Sequence, residues 1–147
     1  YLGVTSATAA NLLDDYEEGT YTGTINDSSG ASGSQTAVGH YVKIGNHVTV
    51  HGQVSFGGAT SGSSNTSITL PFTVKSDARG GICVGLVTGG AIALTSDDKT
   101  LHLVAELNSS LIYPVETDFS GTHTHLTFDS HYGSGGIFSY SGSYITN

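Results

Sequence analysis

The sequence predicts an all-β fold, an antiparallel β-sandwich of jelly-roll type, on three observations. Val48, Val50, Val54 and Phe56 alternate with His47, Thr49, His51, Gln53 and Ser55, the period of two that marks a half-buried strand. Among 147 residues there are 21 glycines, no Trp, no Met and two prolines, a composition of many turns. Turn signals recur at a spacing that divides the chain into roughly eight to ten strands, as in a sandwich or jelly roll. The length suits one domain with its own core.

Residues 1–12 read as an entry segment from a longer chain, and 13–147 as the single domain. Within the former, Ala7 to Leu13 has the makings of a helical turn or a linker. His40–Ile44 and His47–Phe56 flank Gly45-Asn46, a two-residue hairpin loop. That loop sets Ile44 opposite His47, Tyr41 opposite Val50 and His40 opposite His51, with Tyr41, Val48 and Val50 facing the core. Residues 57–66 form a polar, glycine-rich loop. Ile68, Leu70, Phe72 and Val74 then alternate with polar positions, and Pro71 marks an edge or a bulge because it has no N–H to donate. Ile82–Val87 is apolar on both faces, the pattern of a strand buried on both sides, and Cys83 within it reads as a buried, inert thiol. Ile92/Leu94 and Leu101/Leu103/Ala105/Leu107 flank Thr95–Lys99 as a hairpin. Leu111–Val115, His123–Phe128 and Ile137–Ile145 supply the last strands.

Composition excludes several function classes. Twelve acids against four Lys/Arg give a net charge of −8, and Lys43, Lys75, Arg79 and Lys99 are isolated from one another. Nucleic acid demands clustered cations, so nucleic acid is not a partner, and anionic lipid is excluded on the same ground. No apolar run approaches the ~20 residues of a membrane span, which excludes helical insertion. Neutral sugars remain open, because hydrogen bonds and ring stacking hold them. A lone cysteine forms no intrachain disulfide.

Two histidine pairs stand out. His40 and His51 lie opposite one another, ~5 Å apart at Cβ. Such a pair binds a metal or acts as a pH switch; the plainer reading is a hydrogen-bonded surface pair. His123 and His125 share one face of a strand, ~7 Å apart. One chain chelates poorly at that spacing, whereas three chains meeting on an axis supply six imidazoles. The plainer reading again is two polar positions opposite Leu126 and Phe128.

The C-terminal third carries the best binding surface. Tyr113, Asp129, His131 and Tyr132 sit among Ser, Thr and Gly, and rings with short polar neighbours are what sugar recognition needs. Tyr140 and Tyr144 share the phase of Phe138 and read as core. No nucleophile elbow, zinc-protease motif or phosphate loop occurs, so the expectation is no enzyme and no resident cofactor.

Leu13-Asp14-Asp15-Tyr16-Glu17-Glu18-Gly19-Thr20-Tyr21, then Tyr41-Val42-Lys43-Ile44-Gly45-Asn46-His47-Val48-Thr49-Val50, then Leu70-Pro71-Phe72 occur in order. This series resembles a module of bacteriophage tail-fibre and tail-associated proteins, from about Leu12 to the end. The resemblance implies a virion tail location, a homotrimer, contact with other phage tail proteins and attachment to a bacterial surface glycan. It casts the acidic segment as a structural entry element. It also implies a metal on a three-fold axis as one use of His123-Thr124-His125, although such fibre sites lie in thin needles whose repeat is absent here. Val42, Ile44, Val87 and Val104 point away from the assigned core, apolar surface that a trimer would bury. The alternative is a purely structural trimerisation, adaptor or decoration domain.

Overall fold

The structure, a computed structural model, describes residues 15–27, 35–56, 64–78, 80–88, 92–127, 131 and 137–147. The entry segment 1–12, the 57–63 part of the polar loop, Asp129 and Tyr132 lie outside the described residues. Among the described residues the chain forms β1 (Tyr16–Gly23), β2 (Ile25–Asp27), β3 (Gln35–Ile44), β4 (His47–Phe56) and β5 (Thr66–Thr69). It continues with β6 (Gly81–Thr88), β7 (Thr100–Ala105), β8 (Leu111–Thr117), β9 (His123–His125) and β10 (Ile137–Ile145).

All pairings are antiparallel, as expected, but they join into one sheet of order β1-β3-β4-β10-β6-β7-β8-β5-β2, with β9 added to β8. The two ends of this order, β1 and β2, are consecutive in the chain and separated only by Thr24. Residues 16–23 pair with β3, residues 25–27 pair with β5, and Thr69 N donates to the Thr24 carbonyl at 3.1 Å. A single stretch of chain thus bridges both ends and curls the sheet into a nearly closed barrel, in place of two stacked sheets. Closure of this kind leaves little unpaired edge.

The β3–β4 hairpin has the expected register throughout, Ile44 opposite His47 and His40 opposite His51. Gly45 sits at φ +59°, and Asn46 is not in the left-handed region, the pattern of a II′ loop whose twist matches the strands. Alternation then sorts the side chains. Val48, Val50 and Val54 on β4, and Phe138, Tyr140 and Tyr144 on β10, are buried with Ala37, Ile68, Ile82, Leu103, Ala105 and Ile112.

Bulk inside the barrel is matched across strands. Tyr41 lies opposite Gly19, Tyr21 opposite Gly39, and Tyr140 opposite Gly52. A Cβ at these glycines would meet the facing tyrosine at 3.0, 2.6 and 2.5 Å respectively. Each ring therefore occupies the space its glycine partner leaves, the large/small pairing a small barrel needs to fill its interior.

Three local expectations are corrected. Leu86 is 59% exposed, and Cys83 and Val87 are exposed too, so β6 is not buried on both faces. The cause is a register shift against β10 between Phe138 and Tyr140, where Leu86 N bonds the Ser139 hydroxyl at 2.9 Å and the inward phase is lost. Pro71 follows β5 rather than interrupting it, and β5 lies between β8 and β2, away from an edge. Thr95–Lys99 does not turn between two paired strands; β7 pairs with β6 and β8, and the 95–99 segment wraps around Glu116.

Candidate functional site

Period-two alternation on β7, β8 and β9 sends one set of side chains outward. Across the register, His102 lies opposite Val115 and Val115 opposite His125; Thr100, Thr117 and His123 form the next row, and Val104 faces Tyr113. The predicted Tyr113, His123 and His125 therefore share one outer face, joined by His102, which sequence reasoning did not single out. Tyr113 and His125 meet edge to face at 5.1 Å between centroids, and His123 and His125 at 6.5 Å. Val115, flanked by His102 and His125, is only 1% exposed although it belongs to the outer face. Burial, then the neighbouring His123, lowers the His125 pKa against the opposing pull of Glu106. An open concavity of about 530 Å³ is lined by His102, Val104, Thr117 and His123.

Beside this face the turn from β8 to β9 holds Phe119 out in solvent at 89% exposure. The turn is stiff. Asp118 Oδ1 accepts from Ser120 N, Ser120 Oγ and Thr122 N at 2.7–2.9 Å, and Asp118 N donates to the Thr122 carbonyl at 3.1 Å. Those bonds, that of Ser120 first, hold the Asp118 carboxyl below its ordinary pKa. Gly121 completes the turn at φ +84°, where a side chain would be strained. Asp118-Phe119-Ser120-Gly121-Thr122 is an Asx-turn sequence, the signal that would have pointed to Phe119. An aromatic ring on a preorganised turn loses little entropy when it packs on a ligand.

His131 is placed elsewhere. It is 4% exposed, its Nδ1 lies 3.1 Å from the Thr127 N–H that donates to it, and its Nε2 lies 3.8 Å from Glu116 Oε2. Glu116 is itself buried and accepts from Lys99 Nζ at 2.7 Å, Thr95 Oγ1 at 2.5 Å and Thr95 N at 2.9 Å. Burial pushes the Glu116 pKa up, but the Lys99 and Thr95 bonds and the Lys99 charge outweigh it and hold the carboxyl down at about 2. This cluster pins a loop to β8 from inside; it does not present His131 to solvent.

His40 and His51 pair as the hairpin register requires, their rings edge to face at 5.5 Å on the outer side of β3 and β4. Among the described residues, no three His, Cys, Asp or Glu side chains converge to hold a metal. The described cations are engaged elsewhere: Lys43 over the Phe72 ring, Lys75 beside Asp77, and Lys99 on Glu116. Among the described residues, no Lys or Arg stands on either outer face.

No protein-family model matches this chain, and no curated protein does. Among solved structures, that of the Dettilon tailspike protein (gp208) is similar, with a TM-score of 0.71 at 22% identity, covering 90% of this chain. The chain spans 24% of the length of that protein. At this identity the likeness establishes a shared fold.

Proposed function

We propose that this chain is a distal domain of a bacteriophage tail fibre or tailspike, located in the virion tail, that attaches the particle to its bacterial host through surface glycan. The observation that carries the reading is the fold itself. A 0.71 TM-score over 90% of the chain joins it to part of a tailspike protein, and the tail-fibre-like motifs point the same way independently. The outer face of β7–β9 is where attachment is assigned: Tyr113, His102, His123 and Phe119 offer rings, with Thr117 and Asp118 beside them as hydrogen-bonding groups. No catalytic role is assigned; the domain binds and does not cleave.

Self-association as a homotrimer belongs to the same reading. Tyr16, Val38, Val42, Ile44 and Leu86 are exposed on the outer surface and Val87 is exposed at the end of β6, apolar area that copies would cover. Several copies per fibre raise avidity without stronger individual contacts. His123 and His125 of three copies meeting on an axis would bring six imidazoles to one ion; metal analysis of the assembled protein checks this. The same exposed apolar residues favour the second reading, a structural cap or adaptor that docks on other phage tail proteins.

The test is a glycan array with the purified domain, paired with competition of the domain against phage adsorption to host cells. Specific glycan binding and blocked adsorption support attachment. Binding to virion proteins alone supports the structural role. Light scattering at micromolar concentration reads the trimer, and release of oligosaccharide from host envelope would replace both readings with an enzyme.

A further inference from the structure

A second concavity, of about 630 Å³, lies on the outer side of β3, β4, β10 and the start of β6. It is within the ~300–1,000 Å³ range of small-molecule sites. Register builds it from two adjacent rows. One runs Thr20, His40, His51, Ser141, Cys83 and the other Glu18, Val42, Thr49, Ser143, Gly81, each residue opposite the next on a neighbouring strand. Strands ~4.8 Å apart thus set His40 and His51 side by side, with the Thr49, Ser141 and Ser143 hydroxyls flanking them.

Three features define what this groove takes. Its polar groups are available: among the described residues, neither imidazole and none of these three hydroxyls makes a hydrogen bond within the chain. Among the described residues that line it there is no Lys or Arg, and Glu18 stands next to Val42 in the same row, so these residues favour a neutral ligand over an anion. It is open at the β6 end, because Gly81 has no side chain and nothing lies within 4 Å of where its Cβ would point. Exposed imidazole rings, one apolar wall at Val42 and a row of hydroxyls match a ligand with C–H faces and many neutral hydroxyls.

We infer that this groove is a saccharide subsite, binding a neutral, hydroxyl-rich segment of polysaccharide between His40/His51 and Thr49/Ser141/Ser143. The inference rests on the attachment reading and adds a second contact, which adjoins the β7–β9 face where Gly81 of β6 lies opposite Val104 of β7. Two subsites on one domain let a single polysaccharide chain be held at two points, which raises avidity beyond either contact.

The experiment uses neutral bacterial oligosaccharides that score on the array, titrated into the isotopically labelled protein and followed by amide NMR shifts and calorimetry. Two variants probe the groove. Gly81→Leu fills it from a backbone position with room for a side chain, and His51→Ala removes one ring; Tyr113→Ala serves as the variant on the other face. Shifts at residues 49–51 and 141–143, with tenfold or greater weakening by Gly81→Leu at an unchanged melting temperature, are the expected result. Shifts confined to 113–125, with Gly81→Leu binding as the parent does, would overturn the groove and leave the attachment reading standing. A parent protein that binds no array glycan would overturn both. Gly81→Leu altering only the oligomeric mass, with saccharide affinity untouched, would reassign the groove as a contact between copies.

Discussion

Tyr21 of β1 and Tyr140 of β10 meet hydroxyl to hydroxyl at 2.7 Å across the interior face of β3 and β4. Burial above all raises the pKa of both phenols, and Tyr144, whose hydroxyl accepts from Phe72 N at 3.1 Å, is raised for the same reason. Removing one hydroxyl strands the other. Tyr21→Phe or Tyr140→Phe should each cost about 1–2 kcal/mol, and the double variant clearly less than their sum. Urea unfolding of the four proteins measures the coupling. Because the folded phenols ionise above the ordinary value, their contribution is complete below pH ~10 and is lost as pH rises beyond it. A stability–pH curve flat through pH 11 would contradict this.

Gly52 shows how tightly the interior is filled. A methyl group there would stand 2.5 Å from Tyr140 Oη and 2.9 Å from the Val38 carbonyl oxygen. The carbonyl is backbone and has nowhere to go. Gly52→Ala is expected to destabilise by about 1–3 kcal/mol, the usual cost of overpacking. Gly81→Ala, on the open outer face, should change the melting temperature little. Equal melting shifts in the two would mean the tyrosine–glycine pairing does not limit the packing.

Glu116 sets an acid limit. Its folded pKa of about 2 lies below its ordinary value, so its contribution is present above pH ~4.5 and falls away as pH drops toward 2. Lys99→Met leaves the carboxylate buried without its cation and should cost about 3 kcal/mol at neutral pH. It should also flatten stability between pH 5 and pH 2, because the loss has already occurred. Denaturant midpoints across that range, for parent and variant, decide it.

Phe119 is the ring to remove when asking what the β7–β9 face does. At 89% exposure it packs on nothing, so Phe119→Ala should leave stability within about 0.5 kcal/mol. Glycan binding and adsorption blocking should drop at least several-fold. Full activity in the variant would move the attachment surface elsewhere on the barrel.

Much of the fold is local and was therefore legible. The β3–β4 register follows from a two-residue loop and an alternation that begins on either side of it, both encoded within about a dozen residues. The inward phase of Phe138, Tyr140 and Tyr144 is legible for the same reason. The candidate site was legible in part. Tyr113, His123 and His125 share a face because β8 and β9 are short and regular, but His102 reaches them only through the β7–β8 pairing. His131 reads as a surface ring beside a glycine-rich loop, and it is buried because Glu116 and Thr127 draw it inward.

The sequence by itself determined strand character, alternation and the hairpin, because these depend on neighbours along the chain and on the two-residue period of an extended backbone. Tertiary structure alone decided that the strands form one curled sheet, with residues 16–27 joining its two ends. It alone decided that Cys83 and Leu86 face solvent, and that His40 and His51 border a groove completed by Ser141 and Ser143. These outcomes depend on which strands from distant parts of the chain lie side by side. That choice is made by filling a common interior, and no local pattern of side chains records it.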